Sequence, residues 1–269
     1  MKKILLLIIL CFVSLFEANA IEYGRGSFFD VSGSVNANYL WRGERLGGLS
    51  FQPEVTWGYA DRYENSICVG LWGSVGDGVN YVNQWRQFYF VEPFYEMDLY
   101  VEYSHADIIT IGLNHMFYFD GSPYFYYGNS DASSTQTEAY FELCVSELFP
   151  LTIFWSTIVA GWDGGEDYTR NNCYYRPYST YIELSYPIDF NNSDWCMTPK
   201  VGFSPWLGYY SRYEKDFVVN NVELLVERTW EFNTGYVDLH FGVAFNFADM
   251  PVFKYNQNFM WNIGCSFGI

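Results

Sequence analysis

Phe29-Asp30-Val31-Ser32-Gly33-Ser34-Val35-Asn36-Ala37-Asn38-Tyr39-Leu40-Trp41-Arg42 reads as one amphipathic strand. Phe29, Val31, Gly33, Val35, Ala37, Tyr39 and Trp41 fall on one face; Asp30, Ser32, Ser34, Asn36, Asn38 and Arg42 fall on the other, with Leu40 out of step. Successive side chains of a strand point to opposite faces, so this segment has an apolar side along its whole length. The chain ends the same way. Phe259, Trp261, Ile263, Cys265, Phe267 and Ile269 alternate with Asn258, Asn262, Gly264, Ser266 and Gly268.

The same test along the chain gives twelve candidate strands, near residues 28–42, 51–60, 66–75, 94–103, 108–118, 136–146, 151–162, 178–186, 197–205, 220–228, 236–247 and 258–269. Each carries apolar residues on one face without a second apolar layer to cover it. The connections sort by parity. Asp61 to Asn65, Ser104 to Asp107 and Glu147 to Pro150 are tight, whereas 76–93, 119–135, 163–177 and 206–219 are long, polar and rich in Gly, Asn, Asp and Tyr. A soluble sandwich has no reason to sort its loops so, whereas an outer-membrane barrel has short periplasmic turns and long external loops. The expectation is an all-β, antiparallel, up-and-down transmembrane barrel of about twelve strands with periplasmic termini. Tyr39, Trp41, Trp57, Tyr59, Tyr95, Tyr103, Trp155, Tyr186, Trp230 and Phe247 are assigned to outward faces near strand ends, as an interfacial aromatic girdle.

At the N-terminus, Lys2 and Lys3 precede an apolar run from Ile4 to Phe16 and then Ala18-Asn19-Ala20. That is the pattern of a cleaved signal peptide over 1–20, leaving 21–269 as the barrel and the cell outer membrane as destination. Cys11 follows Leu10 rather than a small residue, which argues against a lipid anchor. After residue 20 no apolar run reaches the roughly 18 residues that a membrane helix requires.

Aromatic residues make up 22% of the chain and the formal net charge is -17, which excludes the basic footprint that nucleic acid demands. Cys68, Cys144, Cys173, Cys196 and Cys265 are an odd set without a CxxC pair, so neither a disulfide framework nor a zinc site is expected. A bridge from Cys173 to another loop cysteine is the exception considered. No cofactor or metal is expected.

Tyr39-Leu40-Trp41-Arg42-Gly43, Gln52-Pro53 and Gly70-Leu71-Trp72-Gly73-Ser74 together resemble the N-terminal pattern of the TorF-type porin family, over about the first 80 residues. The resemblance implies a small outer-membrane barrel with a pore role and carries no substrate with it.

Strand alternation places Asp30, Glu54, Glu96, Asp98, Glu102, Glu138, Glu142, Glu183, Glu223, Glu227 and Asp238 inward, against the bases Arg42 and Lys200. Trp72 and His240 complete the candidate pore lining. Arg42 reads mainly as a salt bridge closing the first turn, with Gly47-Gly48 as a flexible loop tip, and Trp72 as a filler of a narrow interior. The expected function is passive diffusion of ions or small solutes with cation preference, and neutralising Glu96, Asp98 and Glu102 is expected to weaken it. Expected partners are outer-membrane lipids, the barrel-assembly machinery through the C-terminal strand, and small solutes or cations. Two alternatives come from other classes. A non-conducting receptor or adhesin would use Tyr124-Phe125-Tyr126-Tyr127 and Tyr174-Tyr175-Arg176-Pro177-Tyr178, and an enzyme would have to build on His240 with Asp238. Of the other histidines, His105 falls in a turn beside Asp107 and His115 faces lipid; no GxSxG or HExxH motif occurs.

Overall fold

In the computed structural model, residues 26–78, 93–106, 108–119, 133–146, 148–163, 176–190, 194–211, 216–247 and 259–269 are described, with the short pairs Tyr81–Val82, Phe88–Tyr89, Thr169–Arg170 and Cys173–Tyr174. The signal segment, Asp107, Tyr124 to Tyr127, Tyr175 and the Cys173 side chain lie outside them.

Alternation becomes twelve long strands: β1 (Gly26–Asn36), β2 (Glu44–Ala60), β3 (Asn65–Gly78), β4 (Phe94–His105), β5 (Ile109–Tyr118), β6 (Thr135–Ser146), β7 (Phe149–Gly161), β8 (Thr180–Ser185), β9 (Trp195–Ser204), β10 (Val218–Phe232), β11 (Gly235–Phe245) and β12 (Phe259–Gly268). Each pairs antiparallel with its neighbours in sequence. β12 closes on β1 with Ser32 opposite Gly268 and Asn36 opposite Gly264, so the sheet has no edge. The first and last segments, the two clearest alternations in the sequence, are thus the strands that close the cylinder.

Outward faces are apolar around the circumference. Val31, Val55, Leu71, Leu99, Leu113, Phe141, Ile153, Val201, Leu224, Phe241 and Ile263 face out at mid-strand, and most of them are well exposed. Trp57, Tyr59, Tyr95, Tyr103, Trp155 and Phe247 are exposed as expected of a girdle. A barrel clad in this way satisfies its backbone internally and presents hydrocarbon to its surroundings, which is the surface of a chain that crosses a bilayer.

The first hairpin departs from the sequence reading. β1 stops at Asn36, the chain bends at Ala37 and Asn38, and Tyr39–Trp41 pairs with the start of β2. The bend is held by Asn38, whose Nδ2 donates to the Trp261 carbonyl and whose backbone N–H donates to Asn262 Oδ1. The bend breaks the alternation, so Tyr39 and Trp41 leave the lipid face and turn inward; Tyr39 is 8% exposed. Arg42 and Gly43 form the turn with φ of 49° and 76°. Two consecutive residues at positive φ match the twist of the flanking strands, which is why so tight a hairpin closes here. Glycine is required at 43, since a Cβ would run into the Asn220 carbonyl. Gly47 and Gly48, expected as a loop tip, lie within β2.

The interior is divided. Ile158, Tyr181 and Tyr210 form a buried cluster with Trp41, Phe154 and Tyr209 at the end that bears the long connections. Bulges concentrate there too, with Val159 extra in β7 and Asn220 extra in β10. Bulges re-aim neighbouring side chains, and the one at Asn220 lies against the inserted hairpin and the 3-10 turn Tyr209–Ser211, with Asn220 Nδ2 donating to the Tyr210 carbonyl at 3.1 Å.

Luminal rings lie on glycines of neighbouring strands. Tyr100 covers Gly70, Tyr140 covers Gly112 and Tyr181 covers Gly202, so a Cβ at any of these glycines would strike the ring. On the lipid face, a Cβ at Gly73 would meet only the Glu96 carbonyl at 3.4 Å. The folded barrel is therefore expected to run faster than the boiled protein on an SDS gel. Gly70→Ala or Gly112→Ala should lower the temperature at which the fast band disappears, reflecting an overpacking cost of about 1–3 kcal/mol. Gly73→Ala should leave that temperature unchanged.

Candidate functional site in the lumen

The innermost ion pair joins the first hairpin to the opposite wall. Arg42 donates through Nη1 and Nη2 to the two carboxylate oxygens of Glu138 on β6, at 2.6 and 2.8 Å. The Arg42 guanidinium carbon lies 4.5 Å from the centre of the Trp41 ring, 5.0 Å from Tyr181, 5.2 Å from Tyr210 and 5.4 Å from Phe154. Tyr210 also donates to Glu138, and Ser156 Oγ does so at 3.4 Å. The expected salt bridge exists, but it spans the barrel rather than closing its own turn. A fork-shaped cation can satisfy a carboxylate bidentately while its flat faces pack on rings, which makes Arg suitable for a dry site.

The remaining inward acids mostly meet a hydroxyl or an amide. Tyr39 Oη donates to Glu96 at 2.9 Å, Tyr100 Oη to Glu54 at 2.5 Å and Tyr140 Oη to Glu102 at 2.7 Å. Tyr181 donates to Glu183. Asp98 accepts from Asn114 Nδ2 at 2.9 Å, and Glu223 lies 3.8 Å from Lys200 Nζ. Asn221 links this last group by donating to Tyr181, Glu183 and Glu223 at 3.3 to 3.4 Å. Trp72 is inward, with its ring 5.8 Å from that of Tyr39. These tyrosines are the part of the site that sequence reasoning missed. The signal was present in Tyr100-Val101-Glu102, Tyr140-Phe141-Glu142 and Tyr181-Ile182-Glu183, each with a phenol and a carboxylate two apart on the inward face.

The lumen is sealed in one half and open in the other. Glu96, Asp98, Glu138 and Gln136 are buried near the long connections, whereas Glu142 is exposed toward the short-turn end. A cavity of about 370 Å³ follows the wall of β10 to β12, with Glu223, Glu227, Asp238, His240, Asn262 and Ser266 among its lining, together with Leu40 of the inserted hairpin. His240 Nδ1 lies 3.3 Å from Asp238 Oδ1, and Nε2 lies 2.9 Å from Asn36 Oδ1 and 3.5 Å from Asn262 Nδ2. Among the described residues, the hydrogen-bond partners of His240 are this acid and these amides, and Ser266 lines the same cavity.

His105 contacts Asn65 Oδ1 at 2.5 Å, while His115 faces outward as expected and reaches Thr137 Oγ1 at 2.9 Å. Cys68, Cys144, Cys196 and Cys265 are free thiols. Among the described residues no group of three His, Cys, Asp or Glu side chains is placed to hold a metal. Beyond β7, both carboxylate oxygens of Asp163 accept from the Ser179 backbone N–H at 3.3 Å, and burial pushes this acid up to about 6 against the pull of those bonds.

No protein family and no curated protein matches the chain. Among solved structures it is similar to the toluene transporter TodX of Pseudomonas putida, with 9% identity, 90% of this chain and 89% of that one covered, and a TM-score of 0.42. It is also similar to the calcium-bound dimer of outer membrane phospholipase from Salmonella typhi, with 13% identity, 95% and 94% covered, and a TM-score of 0.39. A bacterial polysaccharide outer membrane secretin follows at 8% identity, 92% and 98% covered, and 0.31. At such values neither solute nor chemistry passes from those proteins to this one.

Two outcomes follow from the geometry. Arg42→Ala leaves the Glu138 carboxylate buried without its counter-ion and should cost about 3–5 kcal/mol. Arg42→Ala with Glu138→Ala should cost less than the two single changes summed, as read from denaturant midpoints of the fast gel band. Asp163 holds its proton more tightly when folded than when unfolded, so its protonated form supports the fold at low pH. That support is lost as pH rises from about 4 to about 6, and Asp163→Asn should flatten the slope of stability against pH in that window.

Proposed function

We propose that the chain is an outer-membrane diffusion channel of the TorF-type porin kind, narrow and cation-preferring. In this reading it is exported by a cleaved signal peptide and inserted through its aromatic C-terminal strand, with termini and short turns in the periplasm. The observation that carries the proposal is the acidic cavity along β10 to β12, whose lining among the described residues runs from Tyr236 and Ser266 by the short turns to Leu40 of the inserted hairpin. Twelve strands enclose more room than the eight that side chains fill, and less than the wide channels of sixteen-stranded porins.

The sealed positions of Glu96 and Asp98 alter which acids should matter. An entering ion meets Glu102, Glu142, Glu223, Glu227 and Asp238 first. Carboxylates that keep their charge raise the local concentration of cations, most strongly at low salt. In planar bilayers with a KCl gradient, the reversal potential should carry the sign of a cation-selective pore. Replacing Glu223, Glu227 and Asp238 together by their amides should shift it toward zero more than replacing Glu96 and Asp98 does. An anion-selective sign would overturn the assignment.

One observation favours a second reading: the long-connection half is filled by Arg42, Glu138, Tyr181 and Tyr210, as in a barrel used to display loops. Arg42→Ala distinguishes the two readings. A closed channel should show larger or more frequent conductance once the hairpin loses its anchor, whereas a receptor should remain silent in both forms.

A further inference from the structure

The lipid-facing strip of β10 runs Val222, Leu224, Val226, Arg228, Trp230 and Phe232. Arg228 interrupts an otherwise apolar row. It stands opposite Leu239 and Trp195, near the short-turn end. The Arg228 guanidinium carbon lies 4.8 Å from the Trp230 ring centre and 5.7 Å from that of Trp195. Nη2 donates to Asp194 Oδ2 at 3.1 Å, and the Arg228 Nε is buried without an acceptor. The two side chains differ in access, with Arg228 34% exposed and Asp194 63% exposed.

A cation on this face is costly toward the bilayer centre and nearly free at the interface, where indole rings also settle. Asp194 takes one of the five guanidinium donors, through one oxygen. The group therefore offers donors to an anion at headgroup depth. Beside them stands a largely exposed carboxylate that would repel a second net negative charge. A phosphodiester next to an ammonium meets both demands. It can take the free donors of Arg228 and place its cation on Asp194, while the acyl chains lie along Trp195, Trp230 and the apolar strip.

The geometry points to a lipid-binding site at Arg228, Asp194, Trp195 and Trp230, selective for a zwitterionic phosphoethanolamine headgroup in the leaflet at the short-turn end. The inference rests on the membrane-spanning reading and is independent of conduction. Phosphate is the stronger anchor, because charge-assisted bonds to a guanidinium are short and directional. The ammonium sets the preference, through opposite charge at a half-wetted surface.

Native mass spectrometry of the detergent-released barrel, titrated with short-chain phosphatidylethanolamine and phosphatidylglycerol, tests this. The wild type should retain phosphatidylethanolamine in preference to phosphatidylglycerol. Arg228→Gln should weaken retention about tenfold, the equivalent of about 1.4 kcal/mol. Asp194→Asn should keep binding but lose the preference. The fast gel band confirms that each variant is folded. Equal retention by wild type and Arg228→Gln would overturn the site, as would equal retention of a diacylglycerol, which has no phosphate. Displacement by millimolar inorganic phosphate as effective as by lipid would make it a free-anion site instead. A processed chain that stays soluble without detergent would instead sink the membrane reading beneath it.

Discussion

Everything at the long-connection end hangs on the bridge between Arg42 and Glu138. A lone buried carboxylate in the wall of a barrel would be expensive, and a lone guanidinium in the lumen equally so, but each relieves the other. Because the two residues come from opposite sides of the cylinder, satisfying them pulls the first hairpin inward. The consequences run along the chain. The strand must bend at Ala37 and Asn38, Tyr39 and Trp41 must turn from lipid to lumen, and position 43 must be glycine to pass the β10 backbone. The Asn246 side chain, beyond β11, then fixes the hairpin by donating to the Gly43 carbonyl at 2.7 Å.

The interior solves a second problem, how to line a narrow cylinder with carboxylates. Tyrosine suits the purpose, since its ring fills volume and its hydroxyl ends on an acid. Glycine on the adjacent strand makes space for the ring to lie against the wall, as Gly70 does for Tyr100 and Gly112 for Tyr140. The phenol then reaches across that strand to an acid on the next one, Glu54 of β2 in one case and Glu102 of β4 in the other. Removing the glycine lifts the ring, and removing the ring strips the acid of its donor, so the three positions stand or fall as a unit.

Legibility in the sequence followed interaction range. Strand number, inward and outward faces, and closure between the first and last segments all rest on a period of two that a single strand displays. Each inward acid from Glu54 to Asp238 was found in that way. Tyr39 and Trp41 were misplaced because the bend that reverses them depends on Asn38 meeting β12, more than two hundred residues away. The partner of Arg42 was hidden for the same reason, ninety-six residues distant on the far wall. The tyrosine donors were visible in spacing, but nothing local separates a ring that lies on glycine from one that faces lipid.

The asymmetry between the two halves of the lumen bears on what the barrel can pass. Acids in the sealed half are held by Arg42, tyrosines and Asn114, so their charge is spent inside the structure rather than offered to solvent. Acids in the open half have partners too, Tyr140 for Glu102 at 2.7 Å, Thr229 for Asp238 at 3.0 Å and Lys200 near Glu223 at 3.8 Å, but they are less buried than Glu96, Asp98 and Glu138. A field acts on a solute only where water reaches the charges that make it. On the proposed channel reading, selection belongs to the open vestibule and passage to the hairpin, and Asn221 joins the two, because its amide donates to Tyr181 and Glu183 on one side and to Glu223 on the other. On that reading a change at Glu223 or Asp238 alters which ions gather, a change at Arg42 alters whether they go further, and a change at Asn221 touches both.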